Sequence, residues 1–78
     1  MKPIVTEKAV MMIEAKNILT FEFEKDITKQ EIKKEFEKMF NAKVQSVKTF
    51  IRKNKKYAYI QLKKDFPAID LATKLGVM

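Results

Sequence analysis

ILTFEFEKDITKQEIKKEFEKMF, at residues 18–40, is the segment with the clearest strand and helix patterns. In its first part Leu19, Phe21 and Phe23 alternate with polar residues, the period-two pattern of a half-buried strand. In its second part the apolar residues recur at helical spacing and form one stripe, which we expect to be buried. The residues of this stripe are Ile32, Phe36, Met39 and Phe40. A strand followed at once by an amphipathic helix predicts a mixed fold in which helices cover a sheet.

The start of this helix carries a capping box. Thr28 precedes Glu31 by three residues, so each side chain is placed to accept a hydrogen bond from the other residue's backbone N–H group. Ile27 and Ile32 occupy the two positions of a hydrophobic staple. The helix is therefore predicted to begin after Thr28 and to end near Asn41.

The sequence after residue 40 predicts a hairpin and a last helix. Residues 43–51 and 57–63 are predicted strands, joined by a basic turn over 52–56. In the second of them Tyr57, Tyr59 and Gln61 alternate with apolar residues, whereas the apolar residues of the first break strict alternation, which predicts a β-bulge. The last helix is predicted to start around 65–67 and to stop at Gly76.

The sequence before residue 18 predicts one more strand and one more helix. Residues 2–5 predict a short extended start, and Thr6 is the predicted N-cap of a helix that stops near Asn17. The complete order is β-α-β-α-β-β-α. We therefore expect a single domain over residues 1–78, an α+β sandwich whose four-stranded, mostly antiparallel sheet is covered by helices.

The composition excludes most enzymatic chemistry. The chain has 78 residues with no cysteine, no histidine and one glycine. Disulfides, thiolate nucleophiles, the commonest metal ligand, the usual general base and a glycine-rich phosphate loop are therefore missing. We expect no catalytic residues, no metal and no cofactor. An acylphosphatase is rejected because its anion site needs a glycine-rich loop with an arginine, and here the one arginine lies in the basic turn.

Two further classes of protein are also excluded. No apolar run approaches the roughly 18 residues that a membrane-spanning helix needs, and no signal peptide is recognisable. We expect a cytoplasmic protein with no membrane insertion and no small-molecule substrate.

The charge is concentrated in the second half of the chain. The net charge is +7, from 17 lysines and arginines against 10 acids. Residues 1–42 hold eight bases and eight acids, so residues 43–78 carry the whole excess, and 43–64 contain no acid. A basic segment attached to a balanced half predicts a polyanionic partner such as RNA. Lysine outnumbers arginine sixteen to one, which favours phosphate contacts over base readout.

Several segments in a fixed order resemble the ribosomal protein L23 family of the large ribosomal subunit. They are PIVTEKA at 3–9, TKQEIK at 28–33, FNAKV at 40–44 with SV at 46–47, KKYAYIQL at 55–62, and the apolar Leu71. No single segment is decisive, but together they are specific and cover nearly the full length.

The resemblance implies a structural rRNA-binding protein at the rim of the peptide exit tunnel. It implies binding to the third domain of the large-subunit rRNA, ribosomal protein L29 as a neighbour, and a docking place for the signal recognition particle. The chain departs from bacterial members, which carry a long tunnel hairpin where this chain has a turn of about five residues. It also has Gln61 where many members have a basic residue, and no basic tail of the eukaryotic kind. The short turn and the bare start resemble the archaeal branch.

Charge, position and the family's motifs together predict the residues that contact rRNA. These are Lys2, Thr6, Lys8, Lys48, Arg52, Lys53, Asn54, Lys55, Lys56, Tyr57 and Lys63. The basic turn supplies the strongest candidates, and the helix N-terminus after Thr6 is suited to a phosphate.

Two questions stay open at this point. Tyr57 is placed either to stack on an unpaired base or to pack within the sheet, whereas Tyr59 is expected to pack across strands with Ile18 or Thr20. The alternative function is a free-standing small basic module that binds protein or RNA.

Overall fold

The computed structural model describes residues 2–76, and the elements follow the predicted order within that range. They are β1 (Lys2–Pro3), α1 (Glu7–Lys16), β2 (Ile18–Phe23), α2 (Lys29–Phe40), β3 (Val44–Arg52), β4 (Lys55–Leu62) and α3 (Ala68–Leu75). The predicted α+β class is confirmed.

The four strands form one sheet in the order β1-β2-β4-β3, and every neighbouring pair is antiparallel. β4 is therefore central, between β2 and β3. The predicted bulge is present, because the register shifts between Val44 and Ser46. Beyond this shift β3 and β4 pair without interruption to the turn, and the bulge fixes which β3 side chains lie on each face of the sheet.

The core lies between one face of the sheet and the helices. β2 contributes Leu19, Phe21 and Phe23 to it, as the alternation predicts. The Phe36 ring of α2 is fully buried and meets the Phe21 ring edge-on, with their centroids 5.6 Å apart. Leu71 of α3 packs in the same cluster. Burial of these large apolar side chains is the main favourable term in folding.

Both predicted helix caps are formed. The Ala9 N–H donates to Thr6 Oγ1 over 3.1 Å at the start of α1. At the start of α2, the Glu31 N–H donates to Thr28 Oγ1 and the Thr28 N–H donates to Glu31 Oε1, which is the complete capping box. These bonds satisfy backbone donors that the first turn of a helix leaves unpaired.

Asn17 joins three parts of the fold and was predicted only as a helix end. Its backbone is left-handed (φ 58°), the usual C-terminal geometry of a helix. Its side-chain amide donates to the carbonyls of Leu62, Lys63 and Phe66, and its Oδ1 accepts from the Ala68 N–H over 2.6 Å. One side chain therefore holds the end of α1 to the β4–α3 connection and caps α3.

Three sequence expectations are corrected by the structure. Met39 was expected in the buried stripe of α2 but is 58% exposed. It lies at the edge of that stripe, beyond the part that the sheet covers. Thr20, one of the polar residues that alternate with the core residues of the half-buried strand, is itself buried. The basic turn is shorter than predicted, since β3 continues to Arg52 and β4 starts at Lys55.

Candidate nucleic-acid interface

The face of the sheet opposite the core, here called the outer face, gathers bases and aromatic rings. Directly paired residues of antiparallel strands point to the same side. Lys48 pairs with Tyr59, and Phe50 pairs with Tyr57, so these four side chains share the outer face. Further members follow from the same register. They are Lys2, Thr20, Glu22, Arg52 and Lys55.

Three aromatic rings form a row on the outer face. The Phe50 ring is stacked on Tyr57, with centroids 5.3 Å apart and planes 20° apart. It also meets Tyr59 at 5.2 Å with a tilt of 47°. Tyr59 lies opposite Thr20 in the register, in agreement with the predicted cross-strand packing. Phe50 remains 37% exposed, so part of an aromatic surface faces outward.

A hollow of about 320 Å³ opens between this row and the start of α1; we call it the aromatic hollow. Its sheet side is formed by Thr20, Phe50, Arg52, Tyr57 and Tyr59. Its other side is formed by Ile4, Thr6, Lys8, Ala9 and Met12. The lining combines apolar and aromatic surface with two cations and contains no acid among the described residues. Such a hollow suits a flat ligand that carries negative charge.

Six basic residues lie on the outer face, in the lining of the aromatic hollow or at the hairpin tip, and two of them, Lys8 and Arg52, line the hollow itself. The six are Lys2, Lys8, Lys48, Arg52, Lys53 and Lys55. The acid on the outer face of the described strands is Glu22, and its carboxylate lies 3.4 Å from Lys55 Nζ. An exposed pair of this kind contributes little to stability. Lys2 and Lys55 also line a second hollow that contains Glu22, Glu24 and Asp26. The positive charge is therefore strongest toward Lys8, Lys48, Arg52 and Lys53.

The turn between β3 and β4 has two residues, Lys53 and Asn54, and both have left-handed backbones (φ 52° and 64°). Two consecutive positive φ values are the mark of a type I′ hairpin, whose twist matches that of the strands. Asparagine adopts this conformation readily, whereas lysine does so at a cost. The tip thus presents a lysine where the backbone alone would favour asparagine or glycine.

Two predicted contact residues lie elsewhere. Lys56 pairs with Phe23 and Ile51, so it points to the core side, where its Nζ donates to the Ile27 carbonyl. Lys63 follows the end of β4, and its N–H donates to the Lys43 carbonyl over 3.2 Å. The structure therefore does not bring Lys56 to the outer face, whereas Lys63, exposed just beyond β4, stays a predicted contact.

The most informative residue that sequence reasoning missed is Phe50. Its neighbours Val47 and Ile51 share the other face, and the sequence did not locate the bulge that separates these sets. Thr20, Ala9 and Met12 were also missed as site residues, because they come together only when α1 packs beside β2.

Residues 2–76 contain no group of three or more acids that could hold a metal ion. Among the helices described, none is long and apolar enough to cross a membrane.

Comparison with known proteins finds similarity both to a family and to an individual relative. The family model of ribosomal protein L23 matches residues 1–69. The large ribosomal subunit protein uL23 of the archaeon Picrophilus torridus is 44% identical over 75 residues, which is 96% of this chain and 92% of that protein.

Proposed function

Because this chain belongs to the ribosomal protein L23 family and is a structural constituent of the large ribosomal subunit, we propose that its outer face is the surface that binds large-subunit rRNA. Its place is on the ribosome in the cytoplasm, and its role there is structural rather than enzymatic. The proposal additionally states which side of the molecule contacts the RNA.

The observation that carries the proposal is the grouping of six cations on the side of the molecule that holds the aromatic hollow. Lysine and arginine bind phosphate oxygens, and exposed aromatic rings stack on unpaired bases. The exposed side of α2 presents a different surface, because bases and acids alternate along it. Lys33 and Lys34 are followed there by Glu35, and such mixed charge is typical of a solvated helix. RNA is therefore expected on the outer face and solvent beside α2.

The finer assignments follow from the family resemblance and are part of the same proposal. The whole chain, residues 1–78, serves as a single rRNA-binding domain on the third domain of the large-subunit rRNA. It lies at the rim of the exit tunnel beside ribosomal protein L29, and the side left in solvent helps to receive the signal recognition particle. A two-residue turn gives the β3–β4 hairpin no extension into the tunnel. Lys56 is left out of the proposed RNA-binding surface because it lies off the outer face.

The test is the salt dependence of binding to an rRNA fragment that contains the third domain. If the six cations each neutralise a phosphate, the logarithm of the association constant falls with the logarithm of salt at a slope of about −4 to −5. Replacing Lys48, Arg52 and Lys53 by glutamine should reduce the slope to about half. Replacing Lys33, Lys34 and Lys38 of α2 removes the same charge and should leave the slope unchanged. Equal slopes for the two variants would refute the assignment of the RNA-binding side.

A further inference from the structure

The aromatic hollow contains a buried hydroxyl group that lacks a partner. Thr20 is 8% exposed, and its Oγ1 finds no hydrogen bond among residues 2–76. Most buried polar atoms in folded proteins are paired, because an unpaired one has lost its hydrogen bonds to water. Thr20 stands on the outer face opposite Tyr59 and lines the hollow. A ligand with polar groups at its edge would supply the missing partner.

The walls of the hollow indicate the shape and charge of that ligand. Phe50, Tyr57 and Tyr59 provide ring surface, and rings favour stacking or edge contacts with another flat ring. Lys8 and Arg52 add positive charge to the same lining. A nucleotide combines the three features required, because it has a flat ring, polar groups at the edge of the ring and an attached phosphate.

We infer that the aromatic hollow receives one unpaired nucleobase of the bound RNA. The base lies against the rings of Phe50, Tyr57 and Tyr59 with a polar edge toward Thr20 Oγ1, and the adjoining phosphates lie on Lys8 and Arg52. This inference rests on the proposed function and extends it, because it names the part of the RNA that binds at the centre of the outer face. Recognition through an unpaired base fits the way in which proteins approach RNA, whose paired bases are hidden in a deep groove.

The chain provides its own reporter for this site. It has no tryptophan and two tyrosines, and both tyrosines line the hollow. Tyrosine emission from the full chain therefore reports on the hollow. Two probes are compared. One is a short phosphodiester strand that is abasic except for a single central adenine, and the other is the same strand without that adenine.

The adenine strand should quench the tyrosine emission and bind about 5- to 100-fold more tightly than the abasic strand, which corresponds to one stacked base. Equal affinity with unchanged emission would overturn the nucleobase site. If both strands then bound equally and in a salt-dependent manner, the proposed RNA surface would still stand, whereas the absence of binding by either strand would count against both proposals. Quenching by an oligoglutamate and not by the adenine strand would also overturn the inference, because it would assign the hollow to an acidic peptide.

Variants locate the base within the hollow. Phe50→Ala should remove most of the preference for adenine, and Thr20→Val should reduce it by about 2- to 10-fold, as expected for one hydrogen bond. Neither change should alter the affinity for the abasic strand. The matched control is Ile51→Ala, since Ile51 is next in sequence, is 61% exposed and points to the other face. A preference for adenine that survives in Phe50→Ala, or that falls equally in Ile51→Ala, would overturn the placement.

Discussion

Phe36 and Met39 are three residues apart on α2 and lie in different environments. The Phe36 ring is fully buried against Phe21 and Phe40, with centroids 5.6 Å and 4.7 Å away, whereas Met39 faces solvent. Phe36→Ala should lower the free energy of unfolding by about 3–5 kcal/mol, through lost burial and the cavity that remains. Met39→Ala should change it by less than about 0.5 kcal/mol. Chemical denaturation of both variants measures the difference, and a large loss in Met39→Ala would contradict the exposed position.

Asn17 combines a left-handed backbone with four side-chain hydrogen bonds. Asn17→Ala loses these bonds and also strains the backbone, so we expect a loss of about 3 kcal/mol in the free energy of unfolding. Asn17→Gly relieves the strain and should recover about 1 kcal/mol of that loss.

The control for Asn17 is Asn41, which has the same backbone conformation (φ 52°) at the end of α2 and is exposed. Asn41→Gly should stay within about 0.5 kcal/mol of the natural chain. If Asn17→Gly were equally mild in thermal or chemical unfolding, the hydrogen bonds of Asn17 would not be holding α1 to α3.

Among the elements, the β3–β4 hairpin has a residue at its tip that lowers the stability of the hairpin. Lysine at the first turn position is strained, and asparagine is the preferred residue there. Lys53→Asn should therefore raise the free energy of unfolding by about 0.5–1 kcal/mol. The same change removes a cation from the proposed RNA surface, so the salt slope of rRNA binding should become shallower by about 1.

Lys33→Gln removes an equal charge from α2 and should change neither quantity. A Lys53→Asn variant that is more stable and binds rRNA with an unchanged slope would show that the lysine at the tip does not contact phosphate.

The elements were largely predictable because their signals are local. The capping box at Thr28 and the alternation of Phe21 and Phe23 depend on residues close in sequence, and both were confirmed. The outer face was less predictable, since its composition depends on a one-residue bulge at the start of β3. Once the bulge sets the register, Phe50 moves onto the face that carries Tyr57 and Tyr59. Lys56 was predicted as an RNA contact because it was placed in the basic turn, whereas it belongs to β4, whose alternation turns it toward the core side.

At the scale of the whole molecule, the sheet separates two kinds of surface. Its core side is covered by helices, and the exposed side of α2 carries mixed charge. Its outer face has bases around an aromatic hollow, with Glu22 as the acid among its described strand residues. A ribosomal protein needs such a division when one side meets rRNA and another faces solvent. Folding thus brings four of the nine bases of residues 43–78 together with Lys2 and Lys8 from the first half of the chain.

Competitive incorporation into large ribosomal subunits is the most direct test of which side of the molecule binds rRNA. Each of two triple variants competes with the natural chain during assembly, one with Lys48, Arg52 and Lys53 replaced by glutamine, the other with Lys33, Lys34 and Lys38 replaced in the same way. Both variants lose the same charge, and neither changes a buried residue. The outer-face variant should be incorporated at least about tenfold less well, because three phosphate contacts are lost, and the α2 variant should compete almost equally. Equal incorporation of the two variants, or a greater loss in the α2 variant, would contradict the central claim that the outer face is the side that binds rRNA.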